Sequence, residues 1–275
     1  MAKMVGLARP LKIEWLNKTV DLTIEGRPVE EIQAELNEFL SFEINSSTTL
    51  RKTRESLINI WIDSLTTTQR ETPSSPANTQ KDSPAAPGNT RQLPINIQKD
   101  HPEDKAAELR RQALSIYPTL QLERSLSTLP VHWCMIQVTY PIFADICALI
   151  GKISMIEETF TTAWIREKLY ESWGERTTLD VPVKNILRTL IDFEAIEKVK
   201  TGVYKIRQIS VTDDGIKRLF IKTILALKQR AYYEITDLSY APQLFPFVFD
   251  VSHEWLHNMG CFSLGYFGGK TVLTD

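Results

Sequence analysis

The segment from Asp180 to Ile209 reads DVPVKNILRTLIDFEAIEKVKTGVYKIRQI, and it combines two different hydrophobic periods. Its first part, up to Ala195, repeats apolar residues every three or four positions, as one face of a helix does. Its last part, from Val203, alternates apolar and polar residues, as a half-buried strand does. The segment therefore predicts a helix that leads into a two-stranded hairpin with Gly202 at its tip.

The neighbouring stretches predict further helices. Helical patterns run from Pro141 to Lys152 and from Thr159 to Trp173, directly before the pattern at residues 180–195. Three helices followed by a hairpin is the element order of a winged helix-turn-helix domain, which we place at about residues 140–212. A further helical pattern, 216–230, and a predicted hairpin around Gly268-Gly269 extend this part of the chain.

The third predicted helix of this unit has a polar face opposite its apolar stripe. That face carries Lys184, Asn185 and Arg188. Arg and Lys bind guanine edges or phosphates, and Asn pairs with adenine, when a helix enters the major groove of duplex DNA. Three residues just before the helix are placed to contact phosphates, namely Arg176, Thr177 and Thr178.

The charge of this region differs from that of the whole chain. The 275 residues carry a net charge of −2, which excludes a protein that coats nucleic acid through a bulk positive field. Between residues 176 and 207, however, seven basic side chains outnumber four acidic ones. The same local charge is compatible with a unit that docks proteins, so both interpretations stay open. The hairpin residues expected to contact DNA are Lys198, Lys200, Tyr204, Lys205 and Arg207.

The rest of the chain divides at a stretch of different composition. Three helical patterns precede Leu65, and we assign residues 1–66 to an N-terminal helical domain. Residues 67–101 are rich in Pro, Ser, Thr and Asn and predict a disordered linker. Residues 102–275 then form the second domain, and no internal repeat is visible in the sequence. A basic cluster in the third N-terminal helix, interpreted as a solvated face or as a phosphate contact, consists of Arg51, Lys52 and Arg54.

The cysteines and the apolar segments bear on the cellular compartment. Cys134, Cys147 and Cys261 are spaced too widely for a disulfide framework or a structural zinc site, so we expect a reducing cytoplasm. We also expect no secretory signal, because the N-terminal residues lack an apolar stretch. The most apolar stretch, Val131–Ile150, contains Asp145 and is predicted to be a buried core segment.

The order of these elements resembles that of a known family. A small N-terminal helical domain, an intervening helix with the sequence LRRQAL at residues 109–114, and a winged-helix-like unit look like the small DNA-binding accessory proteins of bacterial BREX phage-defence systems. The resemblance covers residues 10–210 and has no counterpart for the linker or for the C-terminal residues. It implies a non-catalytic protein that binds double-stranded DNA as a partner of a larger defence or modification complex.

One motif points to a different class of protein. The sequence HEWLH at residues 253–257 matches a zinc-peptidase pattern, in which His253 and His257 would bind zinc and Glu254 would activate water. A catalytic zinc site needs a third protein ligand, and the longer form of the motif has Ser263 where that ligand should stand. The run at 245–251 alternates like a strand, so we expect His253 at a strand end and both histidines partly exposed.

Together these patterns predict a mainly α-helical protein with a small β component. It has an N-terminal helical domain and a C-terminal winged helix-turn-helix domain, joined by a disordered linker. We expect a cytoplasmic, non-catalytic accessory subunit that uses no cofactor and binds double-stranded DNA and other protein subunits. We expect no membrane and no small-molecule substrate. The alternatives are a winged-helix scaffold that docks proteins without DNA, and a zinc metallopeptidase.

Overall fold

The computed structural model describes residues 7, 9–62, 102–120, 127–175, 177–227, 230 and 232–274. In these ranges the chain forms eleven α-helices and eight short β-strands. The strands are grouped in two three-stranded sheets and one two-stranded sheet. The prediction of a mainly α-helical protein with a small β component is confirmed. The predicted linker, residues 67–101, lies outside the described residues.

Three helices form the N-terminal part. α1 spans Ile13–Ile24, α2 spans Val29–Ser41 and α3 spans Ser47–Trp61, as their hydrophobic patterns predict. Each helix buries one apolar face, because its apolar residues recur at helical spacing. The hydroxyl of Ser46 caps α3 by accepting a hydrogen bond from the Thr49 N–H at 3.4 Å.

The next three helices contribute much of the core. α4 spans Pro102–Leu120, α5 spans Leu129–Thr139 and α6 spans Pro141–Ile153. Most side chains of α5 and α6 are buried, which confirms the predicted core segment. In the described part of the chain, no single helix is long and apolar enough to cross a membrane. α5 and α6 pass that test only as a pair, and the chain bends by 118° between them.

A strand, two helices and a hairpin follow, and we call these elements, residues 159–206, the first unit. β1 spans Thr159–Thr161 and α7 spans Thr162–Trp173, so the predicted helix over 159–173 begins as a strand. After a short 3-10 helix, α8 spans Asp180–Asp192. β2 (Ile196–Lys200) and β3 (Val203–Ile206) form the predicted hairpin. β1 pairs with β3, which gives the sheet order β1-β3-β2.

The remaining elements complete the C-terminal part. β4 (Ile209–Ser210) pairs in parallel with β6 (Phe247–Val248). The helix predicted over 216–230 ends earlier in the structure, at Ala226. The turn residues Gly268-Gly269 join a hairpin, as predicted. The other elements are α9 (Asp214–Ala226), β5 (Tyr232–Glu234), α10 (Ile235–Leu238), a 3-10 helix (Pro242–Leu244), α11 (His253–Met259), β7 (Ser263–Phe267) and β8 (Lys270–Thr274).

The elements from β5 to β8 repeat the order of the first unit, and we call residues 232–274 the second unit. In both units a short strand leads directly into a helix, a second helix follows, and a hairpin closes the unit. The second unit differs in its four-residue first helix, α10, and in the additional strand β6 before α11. The sheet order β5-β8-β7 matches β1-β3-β2, because the first strand pairs antiparallel with the last strand in each unit. A helix of 13 residues precedes each unit, α6 before the first and α9 before the second.

One hydrophobic cluster connects the N-terminal helices with the rest of the described chain. It contains side chains of α1, α3, α4, α5, α8 and α9. Inside it, the Asn17 Oδ1 accepts hydrogen bonds from the Tyr117 hydroxyl at 3.0 Å, the Thr128 hydroxyl at 2.9 Å and the His132 Nε2 at 2.8 Å. These bonds join α1 to α4 and α5. The predicted domain boundaries at residues 66 and 101 lie outside the described residues, and the division into domains stays a prediction.

Candidate nucleic-acid interface

The outer face of α8 carries two of the three side chains that the sequence assigns to it. Lys184 and Arg188 are exposed one helical turn apart, and Val181 beside them is 59% exposed. Asn185, in contrast, is buried, with 8% of its surface exposed. The assignment of Asn185 to the exposed face is wrong, because one residue of helix turns the side chain by about 100° from Lys184 toward the packed side.

The β2–β3 hairpin presents lysines from both of its strands. Lys198, Lys200 and Lys205 are exposed. At the tip, Gly202 has a φ of 75°, a left-handed conformation that glycine adopts without a steric penalty. The pairing register shifts between Lys198 and Lys200, which marks a bulge on the strand that leads to the tip. The hairpin thus places three ammonium groups close to a tight turn.

Two residues of the predicted hairpin surface are engaged within the protein. The ring of Tyr204 stacks on Phe160 of β1 with ring centroids 5.5 Å apart, and the side chain is half-buried. Tyr204 therefore does not project toward a groove as predicted, because its ring holds β3 against β1. The Arg207 Nη2 donates to the Glu197 Oε2 at 2.9 Å, so the charge of Arg207 is compensated within the hairpin.

The chain just before α8 holds the two predicted hydroxyl groups. Thr177 and Thr178 are exposed on the short 3-10 helix that leads into α8. The Arg166 Nε of α7 lies 3.0 Å from the Asp180 Oδ1, which ties α7 to the first residue of α8. Arg176, the third residue predicted for this region, lies outside the described residues.

Five exposed cations of the first unit form no ion pair in the described ranges. No carboxylate there lies within ion-pair distance of them, whereas Arg166 and Arg207 of the same region are both paired. An unpaired cation is free to make charge-assisted hydrogen bonds to a ligand, and phosphate oxygens are strong acceptors for such bonds. The five are Lys184, Arg188, Lys198, Lys200 and Lys205.

A groove of about 450 Å³ separates the second half of α8 from the N-terminal segment. Arg188 lines one side, and Arg9, Lys12 and Thr49 line the other. The Arg9 Nη2 donates to the Thr49 hydroxyl at 2.9 Å, and Lys12 is ion-paired with Glu43. The sequence analysis missed Arg9 and Lys12 because they precede the first helix, and no local pattern connects them to α8.

Two carboxylates reduce the net positive charge at this groove. The hydrogen bond from Lys12 holds the pKa of Glu43 below its ordinary value. Partial burial raises the pKa of Asp192, against the opposing attraction of Lys12 and Arg188. Asp192 lies one turn after Arg188 and lines the same groove, so an anionic ligand bound there would meet this carboxyl group.

The basic cluster of α3 is partly engaged. Arg51 is ion-paired with Glu55 at 3.2 Å. Arg54 is half-buried, and its Nε has no hydrogen-bond partner among the described residues. Lys52 is exposed, and Thr53 beside it lines the groove next to α8. Of the three predicted residues, Lys52 is therefore the one placed best for a phosphate.

The two histidines of the zinc-peptidase motif lie on one helix. His253 is the first residue of α11, so the expectation that it ends a strand is wrong. The Ser252 hydroxyl caps this helix by accepting a hydrogen bond from the Trp255 N–H at 3.0 Å. His253, Glu254 and His257 are all exposed. Among the described residues, no group of three or more His, Cys, Asp or Glu side chains is arranged to hold a metal ion.

Comparisons with known proteins identify no family for this chain. A scan against protein-family models gives no match, and searches among curated proteins and among solved structures give no significant match. The function therefore has to be inferred from the geometry and the charges described above.

Proposed function

We propose that this protein binds duplex DNA through its first unit, acting as a winged helix-turn-helix domain. Counted from α6, the element order is helix, strand, helix, helix, strand, strand, and the first strand pairs with the last. In this order α8 takes the position of the helix that enters the major groove. The β2–β3 hairpin takes the position of the wing, which lies beside the same duplex.

The observation that carries the proposal is the set of unpaired cations on these two elements. Lys184 and Arg188 project from α8, and Lys198, Lys200 and Lys205 project from the hairpin. A chain with a net charge of −2 has enough carboxylates to pair its cations, as it does for Arg166 and Arg207. These five cations lie on two neighbouring elements of one unit, and such a cluster matches the regular negative charge of a DNA backbone.

Each element has its own task in the proposed complex. The Arg188 guanidinium has the forked geometry that binds the edge of a guanine, and Lys184 reaches a base edge or a phosphate. The hairpin lysines bind phosphates as point charges, which positions the protein without reading sequence. The hydroxyls of Thr177 and Thr178 donate to phosphate oxygens at the start of α8. Affinity is thus dominated by phosphate contacts, and sequence preference by α8.

A double charge reversal on α8 tests this interface. We expect Lys184→Glu with Arg188→Glu to weaken binding to a duplex by about tenfold or more in a gel-shift assay, because two attractive charges become repulsive. The matched control is Arg111→Glu with Arg230→Glu, which changes the net charge equally at exposed cations outside the first unit. We expect the control to change binding by less than about twofold. Equal binding by the wild type and the α8 variant would refute the assignment of this surface.

The salt dependence of binding provides a second measurement. Each phosphate contact contributes about 0.9 to the slope of log K against log salt concentration. Lys200→Ala with Lys205→Ala should therefore reduce the slope by about 1.8, if both lysines bind phosphates. An unchanged slope with these variants would place the DNA elsewhere on the protein.

We further propose that the protein serves as an accessory subunit of a larger complex. The element order that resembles the BREX accessory proteins supports this role. The test is to purify the tagged full chain from a host that carries its neighbouring genes. Co-purification with a DNA-modifying or defence protein would support the role, and recovery of the chain by itself would count against it.

A second candidate function, protein docking by the first unit, has one observation in its favour. Val181 of α8 and Val199 of β2 are 59% and 58% exposed, and apolar side chains gain little from a phosphate backbone. Val181→Ser with Val199→Ser separates the two functions. Loss of a protein partner with unchanged gel shifts would favour docking, whereas unchanged partner binding would remove this support.

A further inference from the structure

The second unit has the topology of the first but not its charge. Residues 232–274 contain one lysine, Lys270, and it is ion-paired with Glu234 at 2.7 Å. The same residues contain no arginine and four carboxylates. A duplex would be repelled by this unit, because its single strong cation is already compensated. The second unit therefore fits a protein partner better than DNA.

The edge strands of the two units differ in the feature that controls strand pairing. β2 and β7 occupy the same position, at the outer edge of a three-stranded sheet. β2 carries Glu197, Lys198 and Lys200, and charges on an edge strand discourage pairing with another chain. β7 has the sequence SLGYF and carries no charge and no proline. In the described part of the chain, no strand pairs with the outer edge of β7.

The register of the hairpin determines which backbone groups face that open edge. Phe267 pairs with Lys270 across a two-residue turn, in which both glycines have positive φ, as a type I′ turn requires. Such a pair exchanges two hydrogen bonds, and the bonded pairs alternate along an antiparallel ladder. The N–H and C=O groups of Leu264 and Tyr266 therefore point away from β8. Two donors and two acceptors are left at the centre of the edge.

We propose that β7 pairs antiparallel with β7 of a second copy of this chain, with the twofold axis at Gly265. In this register Leu264 of each copy exchanges two hydrogen bonds with Tyr266 of the other, which satisfies all four outward groups. Gly265 of one copy faces Gly265 of the other in a non-bonded pair, where the strands approach most closely. The two sheets join into one sheet of six strands.

Side chains around β7 support a second copy as the occupant. Tyr266 and Phe267 are 76% and 61% exposed, and the register places Tyr266 opposite Leu264 and Phe267 opposite Ser263 of the other copy. Tyr266 thus gains an apolar neighbour, and the centroid of the Tyr232 ring lies 5.0 Å from that of Phe267. The edge is uncharged, so two copies of it in an isologous pair bring no like charges together.

The dimer would contain two copies of the proposed DNA-binding surface, and both copies would prefer the same DNA sequence. This consequence, unlike the dimer itself, rests on the proposed function. Two first units related by a twofold axis would bind two half-sites of a palindromic duplex.

The test measures the mass of the full chain in solution, without DNA, as a function of concentration. Sedimentation or light scattering should show a transition from 31.5 kDa to twice that mass. Gly265→Lys should raise the dimer dissociation constant by about tenfold or more, since it sets two ammonium groups opposite each other at the axis. A Cβ at Gly265 meets only the Val272 Cγ2 at 3.7 Å, an ordinary contact, so this variant should fold. Tyr266→Pro, which removes an outward N–H, should have the same effect.

Tyr240→Lys is the matched control, because it places the same charge at an exposed tyrosine outside the sheet β5-β8-β7. It should dimerise like the wild type, and circular dichroism should show all variants equally folded. A monomeric wild type, a dimer that survives both β7 variants, or an assembly larger than a dimer would overturn the proposal. Because the measurement uses no DNA, its failure is distinct from failure of the α8 charge reversal.

Discussion

Acidification should destabilise this protein through one buried histidine. His132 is fully buried in α5, next to Asn17, Tyr117 and Trp61, and its Nε2 donates to the Asn17 Oδ1. Burial lowers the pKa of His132 from its ordinary value of 6.5 to about 3. The unfolded chain therefore takes up a proton at a pH where the folded protein does not.

The sign and the size of the effect follow from this difference in pKa. His132 contributes its full stabilisation above the unfolded pKa of 6.5, and that contribution is lost as the pH falls toward the folded pKa of about 3. Within this window the free energy of unfolding falls by up to about 1.4 kcal/mol per pH unit. Between pH 7 and pH 5 the loss amounts to about 2 kcal/mol.

The assay is urea unfolding at pH 5, 6 and 7, followed by circular dichroism, for the wild type and for His132→Gln. The variant retains every other titrating group, so the difference between the two pH profiles isolates the histidine. The glutamine amide can still donate to the Asn17 Oδ1, which keeps one hydrogen bond of the buried group. A variant that loses as much stability between pH 7 and pH 5 as the wild type would refute this reasoning.

Three further predictions concern contacts that no local pattern reveals. Thr189→Val should cost about 1–3 kcal/mol in urea unfolding, because the buried Leu11 N–H donates to the Thr189 hydroxyl at 2.8 Å and would lose its acceptor. Thr19→Val, which removes a bond from a buried hydroxyl to the carbonyl of Trp15 in its own helix, should cost less than about 1 kcal/mol, and equal losses would contradict the proposed role of Thr189. Gly151→Ala should lower the thermal midpoint by the equivalent of about 1–3 kcal/mol or more, since a Cβ would lie 2.2 Å from the Pro242 carbonyl oxygen. Gly265→Ala is its control, because a Cβ there makes only an ordinary contact at 3.7 Å, and a stable Gly151→Ala protein would show that α6 and the 3-10 helix can separate. Lys52→Glu should weaken duplex binding by about threefold or more if the DNA interface extends to the groove beside α8, and binding equal to that of the wild type would exclude such an extension.

Helices with long apolar stripes were predictable from the sequence because each stripe repeats over several turns. The three N-terminal helices and α8 follow this rule, and so does the hairpin at Gly202, whose alternation begins just after the glycine. β1 was missed because Thr159–Thr161 is only three residues long, and so short a run shows no period. Its pairing with β3 depends on residues more than 40 positions away.

The sequence was sufficient to predict which cations of α8 are exposed, but not which of the other predicted site residues are buried. Lys184 and Arg188 are exposed because the helical period places them opposite the apolar stripe. Asn185 lies at the margin of that stripe, and burial there depends on which neighbour covers the flank of α8. Tyr204 faces inward because β1 supplies Phe160 as a partner. Phe160 lies more than 40 positions before Tyr204 in the sequence.

The sequence by itself determined the local elements of this protein, since helical and strand periods are properties of adjacent residues. It also determined the excess of basic charge between residues 176 and 207. Only the tertiary structure decided that Arg9 faces Arg188 across a groove, that the cations of α8 and the hairpin are unpaired, and that residues 232–274 repeat the topology of residues 159–206. The physical reason is that burial, ion pairing and sheet order depend on contacts between distant residues. The two units share a backbone arrangement without sharing a sequence pattern.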